Sequence, residues 1–365
     1  MNTTFTPELP PEVLERLRDY AGLFCDDFRH PAQRSWSGVY LRGLIQDGQR
    51  KSIEPLIVGP NRVPLPAELR DLDDPTHALQ QFVHQSPWDD QKVLPTYRTV
   101  MAKTFASPKG IWVIDDTGFP KQGRPSVGVQ HQYCGPLGKE ASCQVAVTVH
   151  YVSPTGHFPA ALRLFWPASG TSSPERLDEV GVPEESRAVQ AKGEIALELL
   201  DQVRSEGLLP GDLVITDAGY GVSQAFRAGL QQRGLFYIAG VNPEPVVFTE
   251  EPRWDWPAGR STRGRPRKRP HLAQDSPRPV SLKSLAECLP RHQVTWREGT
   301  KGKLSAKFAR VRVGPGQDWA HGAGAGAEPI GLWIEERADG QIRYAFSNLP
   351  ARTSRIQAVR LWVRV

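Results

Sequence analysis

The segment Val113–Gly123, VIDDTGFPKQG, carries an apolar run into two adjacent carboxylates, Asp115 and Asp116. A second apolar run, in DLVITDAGYG, ends on Asp217. Carboxylates gathered at the ends of neighbouring strands repel one another, and a hard divalent cation relieves that repulsion. Mg²⁺ takes a few carboxylates together with water and substrate phosphates. Two such ions side by side activate a water and stabilise the leaving oxygen of a phosphodiester. Taken singly, each Asp reads more simply as a turn residue or a helix cap, and the AGYG after Asp217 is ordinary turn chemistry. Acids at the ends of two strands of one sheet favour the metal reading. Side chains alternate across a strand, so Asp115 and Asp116 point to opposite faces and one of them alone faces a metal.

The densest basic stretch is RWDWPAGRSTRGRPRKRPH, Arg253–His271, with Arg260, Arg263, Arg265, Arg267, Lys268 and Arg269. Its RGRP core resembles an AT-hook, an arm that lays Arg side chains in a narrow A·T minor groove. Phosphate contact without base readout is the expectation, with strong salt dependence. A solvated loop is the alternative. Trp254 and Trp256 stack on a base or pack in a core. Lys121 and Arg124 are placed to meet phosphate near the acids. His131 and Tyr133 read equally as substrate-facing or as structural, and His150 as a packed histidine. Cys25, Cys134, Cys143 and Cys288 form no CxxC pair and no Cys/His ligand spacing, so they read as reduced thiols.

The elements that position the acids follow from periodicity. Up to residue 108 the chain reads as helical. Val13, Leu14, Leu17, Tyr20 and Leu23 fall at helical spacing after a Pro start, and three further helices follow, with Pro95 expected to break or kink the last. This region, residues 1–108, reads equally as a DNA-binding domain or as a bundle with solvated basic faces. From Ile111 the period changes to strands: IWVIDD, ASCQVAVTVHYVS and FPAALRLFWP. Then come a helix in SRAVQAKGEIALELLDQVRSEG, a strand ending at Asp217, a helix in SQAFRAGLQQRG and the strand LFYIAGV. Strands followed by helix–strand–helix–strand is the order of an RNase H-like mixed sheet, whereas doubly wound nucleotide-binding folds alternate from the start. The expected class is therefore α/β, with an RNase H-like core begun over residues 109–242, an N-terminal helical domain and a β-rich basic insertion over residues 243–345.

The chain has 365 residues, 39% of them hydrophobic, enough for a real core, while 33 Pro and 33 Gly imply long loops. The net charge of +5 is a weak pointer to a polyanionic partner. No secretory leader or membrane-length apolar run stands out, so a soluble cytoplasmic protein without membrane contact is expected.

WVIDDTGFPKQG, VGVQHQYCGPLGKEASCQVAVTVHY, VITDAGYG and YAFSNLP closely resemble DDE transposases of bacterial insertion sequences, over about Phe24–Leu361. The resemblance implies an RNase H-like catalytic domain, a two-metal Mg²⁺ or Mn²⁺ site, and double-stranded DNA partners, namely terminal inverted repeats and target DNA. It also implies hydrolysis at the element end followed by strand transfer, and a homodimer on paired ends. By motif, Asp116, before Thr117, and Asp217 are the catalytic metal ligands, with Asp115 behind them or as an alternative ligand. The third acid, a Glu, belongs on a helix after YAFSNLP, in residues 346–365, where SNLPARTSRIQAVRLWVRV has none. Glu335 and Glu336 precede that motif and are poor substitutes. The expectation is thus a C-terminally truncated transposase with activity lowered by orders of magnitude, since such sites act as units. A non-catalytic DNA-binding remnant competing for element ends is the alternative, and an unrelated metal-dependent hydrolase on the same fold fits the hairpin motif least well.

Overall fold

The computed structural model describes residues 9–46, 51–59, 62–121, 128–166, 177–178, 182, 184, 187–256, 269–299, 302–317, 319–321 and 327–363. The chain divides into two units, Met1–Thr104 and Phe105–Val365.

The first unit is helical: α1 (Pro11–Gly22), α2 (Pro31–Ile45), α3 (Ile53–Ile57), α4 (Pro75–His84) and α5 (Asp90–Phe105). Apolar residues at helical spacing build its core, with Trp36 and Val39 of α2 against Leu79 and Phe82 of α4. Asp74 caps α4, its carboxylate accepting from the His77 amide at 2.9 Å. The break expected at Pro95 does not occur: α5 runs through it. Pro95 lies early in the helix and forfeits one backbone hydrogen bond, which a sixteen-residue helix survives.

The second unit is built on one mixed sheet. Its strands are β1 (Ile111–Pro120), β2 (Gln130–Cys134), β3 (Lys139–Ser153), β4 (Gly156–Leu164), β5 (Leu213–Thr216), β6 (Phe236–Val241) and β7 (Val246–Phe248). After the short pair β8 (Trp254–Asp255) and β9 (His271–Leu272) come β10 (Val280–Ser281), β11 (His292–Gly299), β12 (Gly302–Pro315), β13 (Ile330–Glu336) and β14 (Ile342–Ser347). The order is β10-β7-β12-β13-β14-β6-β5-β1-β3-β2, with β11 on β12 and β4 on β3. β1 is antiparallel to β3 and parallel to β5, and β5 is parallel to β6. Among the described residues five helices accompany the sheet: α6 (Lys192–Ser205), α7 (Ala218–Gly221), α8 (Gln224–Gln232), α9 (Leu282–Cys288) and α10 (Arg355–Trp362). Antiparallel strands, then α6, β5, α8 and β6, reproduce the order expected of an RNase H-like domain.

β13 and β14 lie within the residues expected for the insertion, yet they hydrogen-bond into the main sheet beside β6. The cause is visible in IGLWIEE, which is buried at nearly every position. A strand covered on both faces reads as a continuous apolar run and gives no alternation to mark which sheet it joins.

The two faces of β1 have different cover. Ile111 and Val113 join Ile215, Ile238, Trp333 and Ala345 in a core closed by Ala358 and Trp362 of α10. On the other face Trp112 packs edge-on to Tyr151 at 5.0 Å, and its indole donates to the Gly211 carbonyl at 3.0 Å. His150 pairs with Val113 on the α10 face. Burial holds its pKa below the ordinary 6.5 and the nearby His157 adds to this, while Asp115 opposes it. The unfolded chain therefore takes up that proton more readily. His150 should cost no stability above its unfolded pKa, and stability should fall as pH drops from there through the folded value. Melting temperatures of the parent and His150→Asn at pH 8 and pH 5.5 check this, with the variant expected to lose less on acidification.

Candidate active site

β1 and β5 run parallel in a register that pairs Ile114 with Thr216. The next residue on each strand is an acid, Asp115 on β1 and Asp217 after β5. Parallel partners share a face, so the two carboxylates are expected side by side. Both line a cavity of about 440 Å³ at the carboxyl ends of these strands. Its floor is apolar, from Val113, Ile215 and Ile238, and Trp362 of α10 walls it. Among the described residues, the acids lining it are Asp115 and Asp217, and no group of three His, Cys, Asp or Glu side chains is placed to hold an ion.

Asp116 is directed elsewhere. Its two carboxylate oxygens accept from the Tyr220 hydroxyl at 2.6 Å and the Lys192 ammonium at 2.5 Å. Lys192 opens α6 and stands over the Phe165 ring at 5.1 Å, and Tyr220 lies in α7. The pleat thus separates the adjacent acids as expected, with Asp115 toward the cavity beside Asp217 and Asp116 toward α6 and α7. The motif resemblance had put the first ligand at Asp116.

The turn after Asp217 is fixed from both sides. The Asp217 carboxylate caps α7, accepting from the Gly219 amide at 3.0 Å. Buried Arg227 of α8 donates to the carbonyls of Gly221 and Val222 and stacks on the Phe346 ring at 5.1 Å. α7 then presses on β6 with no room for side chains. A Cβ on Gly221 would sit 2.0 Å from the Gly240 carbonyl oxygen, and one on Gly240 would sit 2.8 Å from the Asp217 carbonyl carbon. Gly221→Ala should therefore push α7 off the sheet, costing about 1–3 kcal/mol or more and moving Tyr220 away from Asp116. Chemical denaturation of the purified variant reads the loss, and an unchanged midpoint would contradict the close approach.

Electrostatics agree with the geometry. Partial desolvation raises the Asp217 pKa above the ordinary carboxylate value; the Gly219 amide opposes this, Asp115 and Asp116 push it further up, and Lys192 pulls it down. Tyr220 is raised strongly, by burial first and then by Asp116, so it stays a hydrogen-bond donor. Two like charges on one cavity, with the nearby lysine already engaged by Asp116, suit a hard divalent cation held by Asp115 and Asp217.

Of the basic residues expected to meet DNA, Lys121 is exposed just past β1, its amide bonded to the Ser142 carbonyl at 2.9 Å, and Arg269 is exposed before β9. Arg124, Arg260, Arg263, Arg265, Arg267 and Lys268 lie outside the described residues. Trp254 is half-buried and packs edge-on to Phe248 at 6.1 Å, whereas Trp256 is 67% exposed. Sequence reasoning missed Lys192 and Tyr220. Tyr220 stood inside the quoted DAGYG, but Lys192 is 76 residues from Asp116, and no local pattern joins them.

The family model described as DDE superfamily endonuclease matches residues 23–303. Over 206 residues the chain is 30% identical to "Probable transposase for insertion sequence element IS701" of Microchaete diplosiphon, a match covering 56% of this chain and 48% of that protein. The chain thus spans about half the length of the curated relative it matches.

Proposed function

The chain belongs to the DDE superfamily of endonucleases, and we propose that it is an insertion-sequence transposase whose acid pair, Asp115 and Asp217, serves metal-dependent cleavage and transfer of DNA strands. The observation carrying this reading is the shared cavity of those two carboxylates on adjacent parallel strands. Mg²⁺ or Mn²⁺ at this pair would activate a water or a 3′-hydroxyl and stabilise the leaving oxygen. The chain's own residues do the remainder. Asp115 and Asp217 supply the ligand charge. Lys192 and Tyr220 hold Asp116, and through it the end of β1. Arg227 and the bare backbone of Gly221 and Gly240 hold the turn that aims Asp217. Lys121, Arg124 and the basic run from Arg260 to Arg269 supply charge for the DNA backbone, element ends and target alike. The resemblance assigned the first ligand to Asp116; register and cavity support Asp115 better.

Two carboxylates neutralise a pair of divalent ions poorly, so residues 1–365 by themselves should bind metal weakly and cleave at a rate orders of magnitude below that of a three-acid site. The test uses the purified chain with a labelled duplex taken from the DNA flanking its coding sequence. Salt-sensitive binding with near-background cleavage in Mg²⁺ is expected. Absence of binding at low salt would remove the DNA reading, and robust cleavage would remove the claim of weak activity.

A further inference from the structure

The cavity has a second side that the metal reading leaves unused. Besides the acid pair it is lined by Asn242, Gln341 and Arg343. Arg343 stands on β14, one residue past the Tyr344–Val241 pair with β6. β5 and β14 flank β6, so Arg343 is displaced from the Asp217 strand by two strand spacings, about 10 Å. On β13 its direct cross-strand partner is Glu335. The Glu335 side chain is 3% exposed, the Arg343 side chain 43% exposed, and Nη1 of Arg343 stands 3.8 Å from Oε2 of Glu335. That Oε2 has no hydrogen-bond partner, and Arg337 approaches the other oxygen at 3.5 Å.

A buried carboxylate costs stability unless a cation attends it. Here the attending cation faces open space on its other side. Glu335 attracts the guanidinium across 3.8 Å without a hydrogen bond to it. The remaining N–H groups are free to turn toward the cavity, where the rigid fork of an arginine matches the two oxygens of a phosphate. An acid pair alone would repel DNA, so a cation lining the same cavity has an evident electrostatic role.

We propose that Arg343, backed by buried Glu335, is a positioning residue that clamps a DNA backbone phosphate flanking the one presented to Asp115 and Asp217. This rests on the reading of the cavity as the DNA-cleaving site. The clamp holds the strand across the cavity; it takes no part in bond making or breaking. It requires nothing of the metal, so it acts in metal-free protein too. Glu335, unsuited by burial to be a third ligand, thereby acquires a use.

The test measures binding of a fluorescein-labelled six-nucleotide DNA, short enough to report on the cavity, by anisotropy in EDTA. The proteins are the full parent chain, Asp217→Asn, Arg343→Ala, Arg343→Lys and Glu335→Gln, each checked for a native circular dichroism spectrum. Removing an acid should tighten metal-free binding severalfold, because the DNA no longer meets that repulsion. Arg343→Ala should weaken binding about 5–10-fold and lower the slope of log K against log salt by roughly 0.7, the value for one phosphate contact on a single strand. Arg343→Lys should keep the slope and recover part of the affinity, and Glu335→Gln should fall between parent and Arg343→Ala. If Asp217→Asn tightens binding while Arg343→Ala changes neither affinity nor slope, DNA enters the cavity and the clamp is wrong. If neither substitution changes binding, DNA does not enter the cavity, and the site reading fails with the clamp.

Discussion

Replacing Asp217 by asparagine will raise the melting temperature of the metal-free protein and abolish the further rise that Mg²⁺ or Mn²⁺ gives the parent chain. The first effect follows from the raised pKa of Asp217, caused by partial desolvation and by the neighbouring charges of Asp115 and Asp116. A carboxyl whose folded pKa exceeds its unfolded value opposes folding once both states are ionised. The penalty grows as pH rises from the ordinary 3.8 and is complete above the folded value. Asparagine removes that charge but keeps an oxygen to accept from the Gly219 amide, so α7 keeps its cap. The second effect follows from linkage. An ion that binds the native state alone stabilises it by about 2.7 kcal/mol at a hundred times its dissociation constant. Without one of two ligands that increment disappears at accessible concentrations. Asp115→Asn should likewise abolish the metal-dependent rise. Differential scanning fluorimetry with and without metal reads both, and a metal-dependent rise that survives in Asp217→Asn would contradict the assignment.

Trp362→Ala should cost about 3–5 kcal/mol, the range for removing a large aromatic from a core. Trp362 is 6% exposed and sits where two cores meet. With Ala358 it closes the core of β1, β5, β6, β13 and β14, and its ring lies edge-on to Phe308 of β12 at 6.3 Å. Its neighbour Val359 joins the core under β11 and β12. One helix therefore ties the site-bearing strands to the hairpin beside them. Trp362 also walls the cavity, so its loss should open the acid pair to bulk water and weaken metal binding together with stability. Trp362→Phe fills most of the volume and should recover most of both. Urea denaturation separates the three proteins, and an alanine variant within about 1 kcal/mol of the parent, a typical mutational change, would show that α10 does not close this core.

The parts of this architecture legible in the sequence are those set by local pattern. IWVIDD and LVITD read as strands because they are short apolar runs ended by acids, and they form adjacent parallel strands. The separation of Asp115 from Asp116 was legible from pleat geometry alone. Which of the two faces the cavity was not, because that depends on the register of β1 against β5 and on which face α10 covers. Both are contacts between segments about a hundred residues or more apart. The Lys192–Asp116–Tyr220 cluster escaped for the same reason. Strand β13 was placed in the insertion because a run buried on both faces carries no alternation to assign it. Glu335 looked like an unsuitable ligand from its place before SNLP; its pairing with Arg343 needed the β13–β14 register.

The most direct measurement is Mn²⁺ binding followed by loss of the free-ion electron paramagnetic resonance signal, for the parent chain, Asp115→Asn, Asp116→Asn and Asp217→Asn. Asp115→Asn and Asp217→Asn should each lose binding, while Asp116→Asn, whose carboxylate is engaged by Lys192 and Tyr220, should retain it. Loss of binding in Asp116→Asn with retention in Asp115→Asn would return the first ligand to Asp116 and contradict the cavity as the metal site.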